Sequence, residues 1–121
     1  MSKQQSLELY FTTWNERKDE ARGKLLASCF AQNGRYLDPH VPNQTNSIDE
    51  MDDIIKLFQS RLPHRLVALK KAEFHHHVFR VRWKMDDKGK VLSEGTFVGE
   101  FDLNDRITTI ISFIDTRTLK N

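Results

Sequence analysis

Two side chains suited to acid–base chemistry, Tyr36 and Asp38, stand two positions apart just before Pro39. Residues i and i+2 of a strand share a face, so both could point to the mouth of a cavity. Removal from water strengthens a carboxylate as a base, which makes Asp38 a candidate general base and Tyr36 a candidate donor. Tyr10 could donate a hydrogen bond to a developing enolate. The alternative is that Asp38 only accepts backbone N–H groups in the turn around Pro39.

Three consecutive histidines, His75-His76-His77, are the second candidate for chemistry. In a strand, His75 and His77 share a face and could chelate a metal, but a catalytic metal site needs a third protein ligand. His40 and His64 fall in predicted loops and do not supply it, so we expect no metal. His77 facing a pocket, as a polar contact or proton carrier, is a lesser catalytic candidate. Ordinary strand histidines are the default interpretation.

A set of large apolar side chains falls on the inward faces of the predicted helices and strands. Most of them would form plain core, but some could border a ligand pocket. The candidate ligand-binding residues are Trp14, Phe58, Phe79, Val81, Trp83, Phe97 and Phe113.

Three helices are predicted in the first half of the chain. Apolar residues recur every three to four positions over 7–14, and again from Asp19 to about residue 31. The turn dipeptide Asn33-Gly34 should end the second helix, and a short strand over 35–37 should follow. Ser47 and Glu50 have the spacing of a capping box, which starts the third helix, and Pro63 stops it.

From residue 65 onward the apolar period changes to two, which predicts strands over 65–75, 76–85, 91–103 and 106–116. Gly95 and Gly99 lie inside the third of these strands, where glycines often mark bulges or strong curvature. Helices followed by a run of antiparallel strands give an α+β fold, with three N-terminal helices packed on a curved antiparallel sheet.

Bulk properties narrow the class of protein. A chain of 121 residues forms one domain over 1–121, and a formal net charge of +2 is too small to indicate nucleic acid. The single cysteine, Cys29, excludes an internal disulfide, and its apolar stripe predicts a buried, inert thiol. No stretch approaches the roughly 18 apolar residues of a membrane span, and no signal peptide is evident, so we expect a cytoplasmic protein. No nucleotide-binding fingerprint is present, and we expect no cofactor.

Arg80, Arg82 and Lys84 alternate with the inward residues of one strand and should line the outer face of the sheet. A solvated charged face is one interpretation. The other is a dimer interface that covers this face and buries the stems of these side chains.

Several local motifs, in this order, resemble the SnoaL-like branch of the nuclear transport factor 2-like superfamily, which includes polyketide cyclases and ketosteroid isomerases. The resemblance spans nearly the whole chain. The motifs are Tyr10-Phe11-Thr12-Thr13-Trp14-Asn15, Leu25-Leu26 with Cys29-Phe30-Ala31, Tyr36 with Asp38-Pro39, His75-His76 with Arg80-Val81-Arg82-Trp83, Gly95-Thr96-Phe97, Arg106-Ile107 and Phe113-Ile114-Asp115.

The resemblance implies a cone-shaped α+β barrel, a homodimer, and a pocket between the helices and the concave sheet. Tyr10 and Asp38 match the positions of a tyrosine and an aspartate that ketosteroid isomerases use. Those enzymes also use a protonated aspartate on a later strand as an oxyanion donor. That position falls on Gly99 here, with Glu100 beside it on the other face, so half of the oxyanion hole is missing.

Two functions remain open from the sequence. The first is an apolar pocket for a small molecule, with cofactor-free isomerisation, cyclisation or hydration driven by Asp38. The second is a non-catalytic homodimeric module that binds a ligand or a protein and keeps a vestigial pocket. A cavity of a few hundred Å³ beside a buried Asp38, roughly the size that small-molecule sites have, would favour the first.

Overall fold

Three helices pack on a curved, open sheet of six strands, which confirms the α+β class and the cone expected from the resemblance. The structure is a computed structural model, and it describes residues 1–115. The helices are α1 (Lys3–Asn15), α2 (Asp19–Cys29) and α3 (Ile48–Arg61). The strands are β1 (Phe30–Leu37), β2 (Arg65–Ala68), β3 (Glu73–His75), β4 (Val78–Asp87), β5 (Lys90–Phe101) and β6 (Ile107–Ile114).

The sheet is mixed, which corrects the prediction of an antiparallel sheet. Its strand order is β1-β6-β5-β4-β2, and β3 also pairs with β4. The pair of β1 and β6 is parallel, with Tyr36 opposite Ile110, whereas the other pairs are antiparallel. Because α3 and four strands separate β1 from β6 in sequence, local patterns in the chain do not determine the relative direction of this pair.

The second helix ends earlier than predicted, because β1 begins directly at Phe30 and no turn forms at Asn33-Gly34. Gly34 leaves space for a neighbouring ring rather than forming part of a turn. The buried ring of Phe30 lies over it, and a Cβ at position 34 would collide with that ring. Glycine is therefore required there for close packing rather than for a turn.

The predicted strand over 65–75 is two strands, since residues 69–72 bend away between β2 and β3. At the next hairpin, Lys88 and Gly89 both have positive φ, of 52° and 92°, as the tight turn between β4 and β5 requires. The predicted end of the last strand, Thr116, lies outside the described residues.

The side chain of Asn15 ties the end of α1 to the sheet. Its amide nitrogen donates to the Leu66 carbonyl at 2.9 Å, and its oxygen accepts from the Leu66 N–H at 2.7 Å. The Asn15 side chain thus makes the two hydrogen bonds to the Leu66 backbone that a neighbouring strand would make. This contact gives a structural reason for an asparagine after the buried Trp14.

The buried side chain of Arg22 joins α2 to α3. Arg22 on α2 donates to Asp52 at 2.7 Å, to Asp19 at 2.7 Å and to Gln59 at 3.0 Å. Bonds of this kind satisfy a guanidinium that has been removed from water.

Cys29 is buried at the junction of α2 and β1. Burial raises the pKa of its thiol to about 12. The thiol therefore stays protonated near neutral pH, as an inert thiol should.

The helices of residues 1–115 are too short or too polar to cross a membrane.

Candidate functional site

Tyr36 and Asp38 form the polar centre of the candidate site. The Tyr36 hydroxyl donates to Oδ2 of Asp38 at 2.6 Å. Tyr36 is buried, and only 7% of the Asp38 side chain is exposed. The distance falls in the range of O–H···O⁻ bonds, roughly 2.5–2.7 Å, which are stronger than neutral ones. The strand geometry that suggested a shared face therefore brings the two groups into direct contact.

The loop after β1 fixes the aspartate. Tyr36 and Thr45 exchange backbone hydrogen bonds of 3.3 and 3.1 Å, which brings the chain back beside β1. Within this loop the His40 N–H donates to Oδ1 of Asp38 at 2.7 Å, and the His40 Nδ1 lies 3.5 Å from the same oxygen. Oδ1 of Asp38 therefore serves the turn, as the structural alternative expects, whereas Oδ2 accepts from Tyr36 and the role of general base stays a prediction.

A cavity of about 90 Å³ lies beside this pair, between the helices and the concave sheet. This volume is smaller than the few hundred Å³ expected for a small-molecule pocket, so only a small ligand fits the cavity. The walls are mostly apolar. They consist of Trp14, Tyr36, Asp38, His40, Phe58, Leu62, Leu66, Trp83, Met85, Ser93, Phe97, Ser112 and Ile114.

Four of the seven predicted ligand-binding residues, Trp14, Phe58, Trp83 and Phe97, line this cavity. The other three do not. Phe79 is buried against Phe101, with ring centroids 5.1 Å apart. Val81 is also buried, but it borders a separate surface groove together with Phe11.

Placing Phe113 in the pocket was wrong, because 58% of it is exposed on the outer face of β6. Strand alternation explains the difference, since the neighbouring Ser112 and Ile114 line the cavity instead. Ser112 was missed. A polar residue within the otherwise apolar series Ile110, Ser112, Ile114 was the signal that could have identified it.

Tyr10 lies in the core rather than at the cavity wall. It is fully buried between Phe30 and Phe97, and its hydroxyl contacts the Met51 sulfur at 3.9 Å. Burial raises the pKa of this phenol well above its ordinary value, so it stays protonated. In this conformation Tyr10 is not placed to touch a ligand, and the donor role assigned to it from the sequence is not supported.

The histidine triplet lies away from the cavity. His76 has a φ of 51° and forms a turn between β3 and β4, so the strand alternation assumed for residues 75–77 is broken. As a result His77 is exposed, with its Nε2 3.7 Å from Glu100, and its predicted role in the pocket was wrong. Within residues 1–115, no group of three potential metal-ligating side chains comes together.

The electrostatics of the site favour Tyr36 as a donor. Burial is the main cause that raises the pKa of its phenol well above 10, with the nearby Tyr10 and Asp38 adding to the effect. The phenol therefore remains neutral at any physiological pH and can donate but not act as a base. Among the described residues that line the cavity, Asp38 and His40 are the other titratable groups.

Close packing explains why glycine occupies position 99, where the resemblance implied a strand carboxylate. Gly99 pairs with Phe79 across β4 and β5, and a Cβ at this position would collide with the Phe79 ring and the Thr109 carbonyl. Gly95 lies under the ring of Trp83 in the same way. Each glycine therefore makes room for an aromatic ring of the neighbouring strand. The register irregularities along β5 fall at residues 91–93 and at Glu100 and Phe101 rather than at the glycines.

No protein-family sequence model and no curated protein matches the chain, whereas many solved structures do. A SnoaL-like family protein of Agrobacterium tumefaciens, proposed to be an isomerase, is 25% identical with a TM-score of 0.84, over 95% of this chain and 99% of that one. A proposed polyketide cyclase of Sinorhizobium meliloti is 13% identical with a TM-score of 0.71, over 90% and 94%.

An epoxide hydrolase-like protein of Mycobacterium tuberculosis is 9% identical with a TM-score of 0.72, over 98% of this chain and 86% of that one. The second and third of these relatives share the fold alone. All three share the fold over at least 90% of this chain. The chain therefore has the fold of the nuclear transport factor 2-like superfamily, and it is similar to a SnoaL-like protein of that superfamily over almost its full length.

Proposed function

We propose that this protein binds a small, largely apolar molecule in its cavity and catalyses a cofactor-free proton transfer, such as isomerisation or cyclisation. One observation carries the proposal: the buried Asp38 accepts a 2.6 Å hydrogen bond from Tyr36 at the wall of an apolar cavity. A carboxylate held in this way is oriented before the ligand arrives, and orientation is a large part of acid–base catalysis.

In the proposed reaction, Asp38 removes a proton from a carbon next to a carbonyl group of the ligand. The electron pair of the broken C–H bond moves onto the carbonyl oxygen and gives an enolate. Protonated Asp38 then returns the proton to a different atom, so the atoms and electrons balance without a further reactant. Because Tyr36 stays neutral, its hydroxyl can turn from Asp38 to a developing negative charge when Asp38 takes up the proton.

The second candidate function is a non-catalytic module that binds a ligand or a protein. Two observations favour it. The cavity is only about 90 Å³, and a Cβ at Gly99, where the resemblance implied a second carboxyl group, would collide with the Phe79 ring and the Thr109 carbonyl. Both functions are compatible with the sequence-based expectation of a cytoplasmic protein without a cofactor, which stays a prediction.

We also propose a homodimer that forms through the outer face of the sheet. Leu37, Ile111 and Val98 occupy one row across three strands, and the exposed Phe113 lies beside them. Exposed apolar patches of this kind mark contact surfaces. Arg82, which borders the patch, already pairs with Asp115 at 2.7 Å within its own chain, so its charge needs no partner from a second copy.

Exchange of hydrogen for deuterium at the carbons beside the carbonyl of cyclopentanone tests the catalytic proposal. We expect the protein to accelerate this exchange in D₂O, as measured by proton NMR. Asp38→Asn should reduce the acceleration by about 10²-fold or more, the usual contribution of a general base. Glu100→Gln, which removes an exposed carboxylate near His77, is the matched control and should keep the activity. Binding of the ketone without any accelerated exchange would favour the non-catalytic module.

A further inference from the structure

The imidazole rings of His75 and His76 stand together on the surface of the protein, at the end of β3 and in the turn that follows it. Their Nδ1 atoms lie 2.9 Å apart, the planes of the rings are nearly perpendicular at 87°, and both residues are exposed. The sequence pattern paired His75 with His77 as possible metal ligands. The turn instead brings the adjacent pair together.

The backbone of His76 holds its ring beside that of His75. In an extended strand, successive side chains point to opposite faces, so adjacent rings would lie apart. The φ of 51° removes this alternation, because it places His76 in the left-handed region. Glycine adopts that region most readily, and a costly backbone conformation that persists points to a role for the side chain it positions. The turn therefore carries a ring where glycine would make the easier turn.

The separation of the two nitrogens fits one class of ion. A divalent transition metal binds an imidazole nitrogen at about 2.0–2.1 Å, so two nitrogens at a right angle around it are about 2.9 Å apart. At the tetrahedral angle they would be about 3.3 Å apart. Right angles belong to the tetragonal coordination of Cu²⁺ and Ni²⁺, and Cu²⁺ binds nitrogen ligands more tightly than Ni²⁺ does. The distance of 2.9 Å thus favours copper(II) over zinc.

The neighbouring side chains are engaged elsewhere. The Nε2 of His77 lies 3.7 Å from Glu100. Both carboxylate oxygens of Glu73 accept hydrogen bonds from Arg80, each at 3.0 Å. Within residues 1–115, no third metal-ligating side chain joins His75 and its neighbour in the turn. Water would therefore fill the remaining coordination positions, which gives an open, reversible site rather than a closed structural one.

The two rings can accept an ion without a change in their own charge. A neutral imidazole carries one proton, on either of its nitrogens. For the contact of 2.9 Å to be a hydrogen bond, one Nδ1 must carry the proton and the other a lone pair. When an ion binds, exchange with water moves that proton to Nε2 of the same ring. Both Nδ1 atoms then offer a lone pair to the ion, and the number of protons on the rings stays the same.

We propose that His75 and His76 form a bidentate site for a divalent copper ion in the turn between β3 and β4. Both Nδ1 atoms bind the ion at a right angle to each other, and water completes its coordination. None of the three histidines of the triplet lines the cavity beside Asp38. The copper site is therefore independent of the function proposed for that cavity.

Titration of copper(II) chloride into the tag-free full-length protein, in a buffer that does not bind metals, tests the site. Calorimetry gives the affinity and the stoichiometry, and electron paramagnetic resonance reports the geometry and the number of nitrogen ligands. We expect one tetragonal Cu²⁺ per chain with two nitrogen ligands. His75→Gln and His76→Asn should each weaken binding by about 10²-fold, the gain that a second linked contact can give. Asparagine tolerates a positive φ, so His76→Asn should keep the turn.

His77→Gln is the matched control, because it removes the third histidine of the triplet and should keep the affinity for copper. His76→Gly also removes the ring but suits the positive φ, so it should lose the site while raising the temperature of unfolding. Binding that His77→Gln weakens as much as His76→Asn does would overturn the assignment to this pair. Binding that none of the variants changes would place the ion elsewhere and overturn it as well. If the unaltered protein binds Cu²⁺ no more tightly than a single imidazole does, there is no bidentate site, and this result does not depend on the folding of any variant.

Discussion

The hydroxyl of Tyr36 donates to the carboxylate of Asp38 over 2.6 Å at the wall of the cavity, and one residue separates the two in sequence. Tyr36 is the last but one residue of β1, and Asp38 is the first residue of the loop that folds back beside that strand. The pair is thus held by the strand on one side and by the loop on the other. Movement of either group breaks the bond between them, although Asp38 also accepts from the His40 N–H.

A double-mutant cycle measures this dependence. Tyr36→Phe leaves Oδ2 of Asp38 without its donor, and Asp38→Asn removes the charge that strengthens the bond. We expect a coupling free energy of about 1–2 kcal/mol from urea unfolding at pH 7, in line with hydrogen bonds to charged groups. Effects of the two substitutions that simply add within about 0.5 kcal/mol would show that the contact contributes nothing to stability.

Sequence patterns predicted this pair because the i, i+2 geometry of a strand is local. They failed for His77, since the positive φ of His76 breaks the alternation, and no local pattern indicates such a turn between two short strands. They failed for Phe113 because the assignment of inner and outer positions in β6 depends on its pairing with β5. A shift of one residue exchanges the two faces of a strand.

The contact between the rings of His75 and His76 could not be predicted from the sequence at all. Alternation in a strand places adjacent side chains on opposite faces, whereas the turn at His76 brings the two rings together. The beginning of β1 at Phe30 was also missed. The dipeptide Asn33-Gly34 is typical of a turn, but here the glycine is needed because the Phe30 ring packs against it.

Two glycine substitutions separate packing from conformational entropy. Gly99→Ala places a Cβ against the Phe79 ring and the Thr109 carbonyl, so we expect a loss of about 1–3 kcal/mol in the free energy of unfolding. Gly23→Ala in α2 meets nothing within 4 Å and should stabilise the protein by about 0.5–1 kcal/mol. Chemical denaturation of both variants checks the pair. An unchanged stability of Gly99→Ala would contradict the explanation given for glycine at this position.

The proposed dimer predicts that Phe113→Lys produces a monomer. A charge at this position would face the apolar patch of the second copy, where it has no partner. Leu103→Lys is the matched control, because Leu103 is fully exposed in the turn before β6 and lies apart from the patch. Light scattering coupled to size-exclusion chromatography reads the mass of each variant. A monomeric unaltered protein, or a dimer that survives Phe113→Lys, would rule out this interface.

The burial of His64 leads to a prediction of how the stability of the protein depends on pH. Its ring is buried beside Trp14, with ring centroids 6.1 Å apart, and neither ring nitrogen has a hydrogen bond of good geometry within residues 1–115. Burial, followed by the nearby charge of Arg17, lowers the pKa of His64 below its ordinary value of 6.5. Below pH 6.5 the unfolded chain therefore binds more protons at this residue than the folded chain does, and stability falls as the pH falls.

We expect the free energy of unfolding to decrease by up to about 1.4 kcal/mol per pH unit below pH 6.5 because of this one residue. His64→Phe keeps an aromatic ring beside Trp14 and removes the titration, so its loss of stability between pH 6.5 and 5 should be smaller. His75→Gln, at an exposed position, serves as the control and should follow the unaltered protein. Urea unfolding at several pH values measures all three proteins. If His64→Phe loses as much stability as the unaltered protein between pH 6.5 and 5, another titrating group causes the loss of stability at low pH, and the buried imidazole of His64 does not.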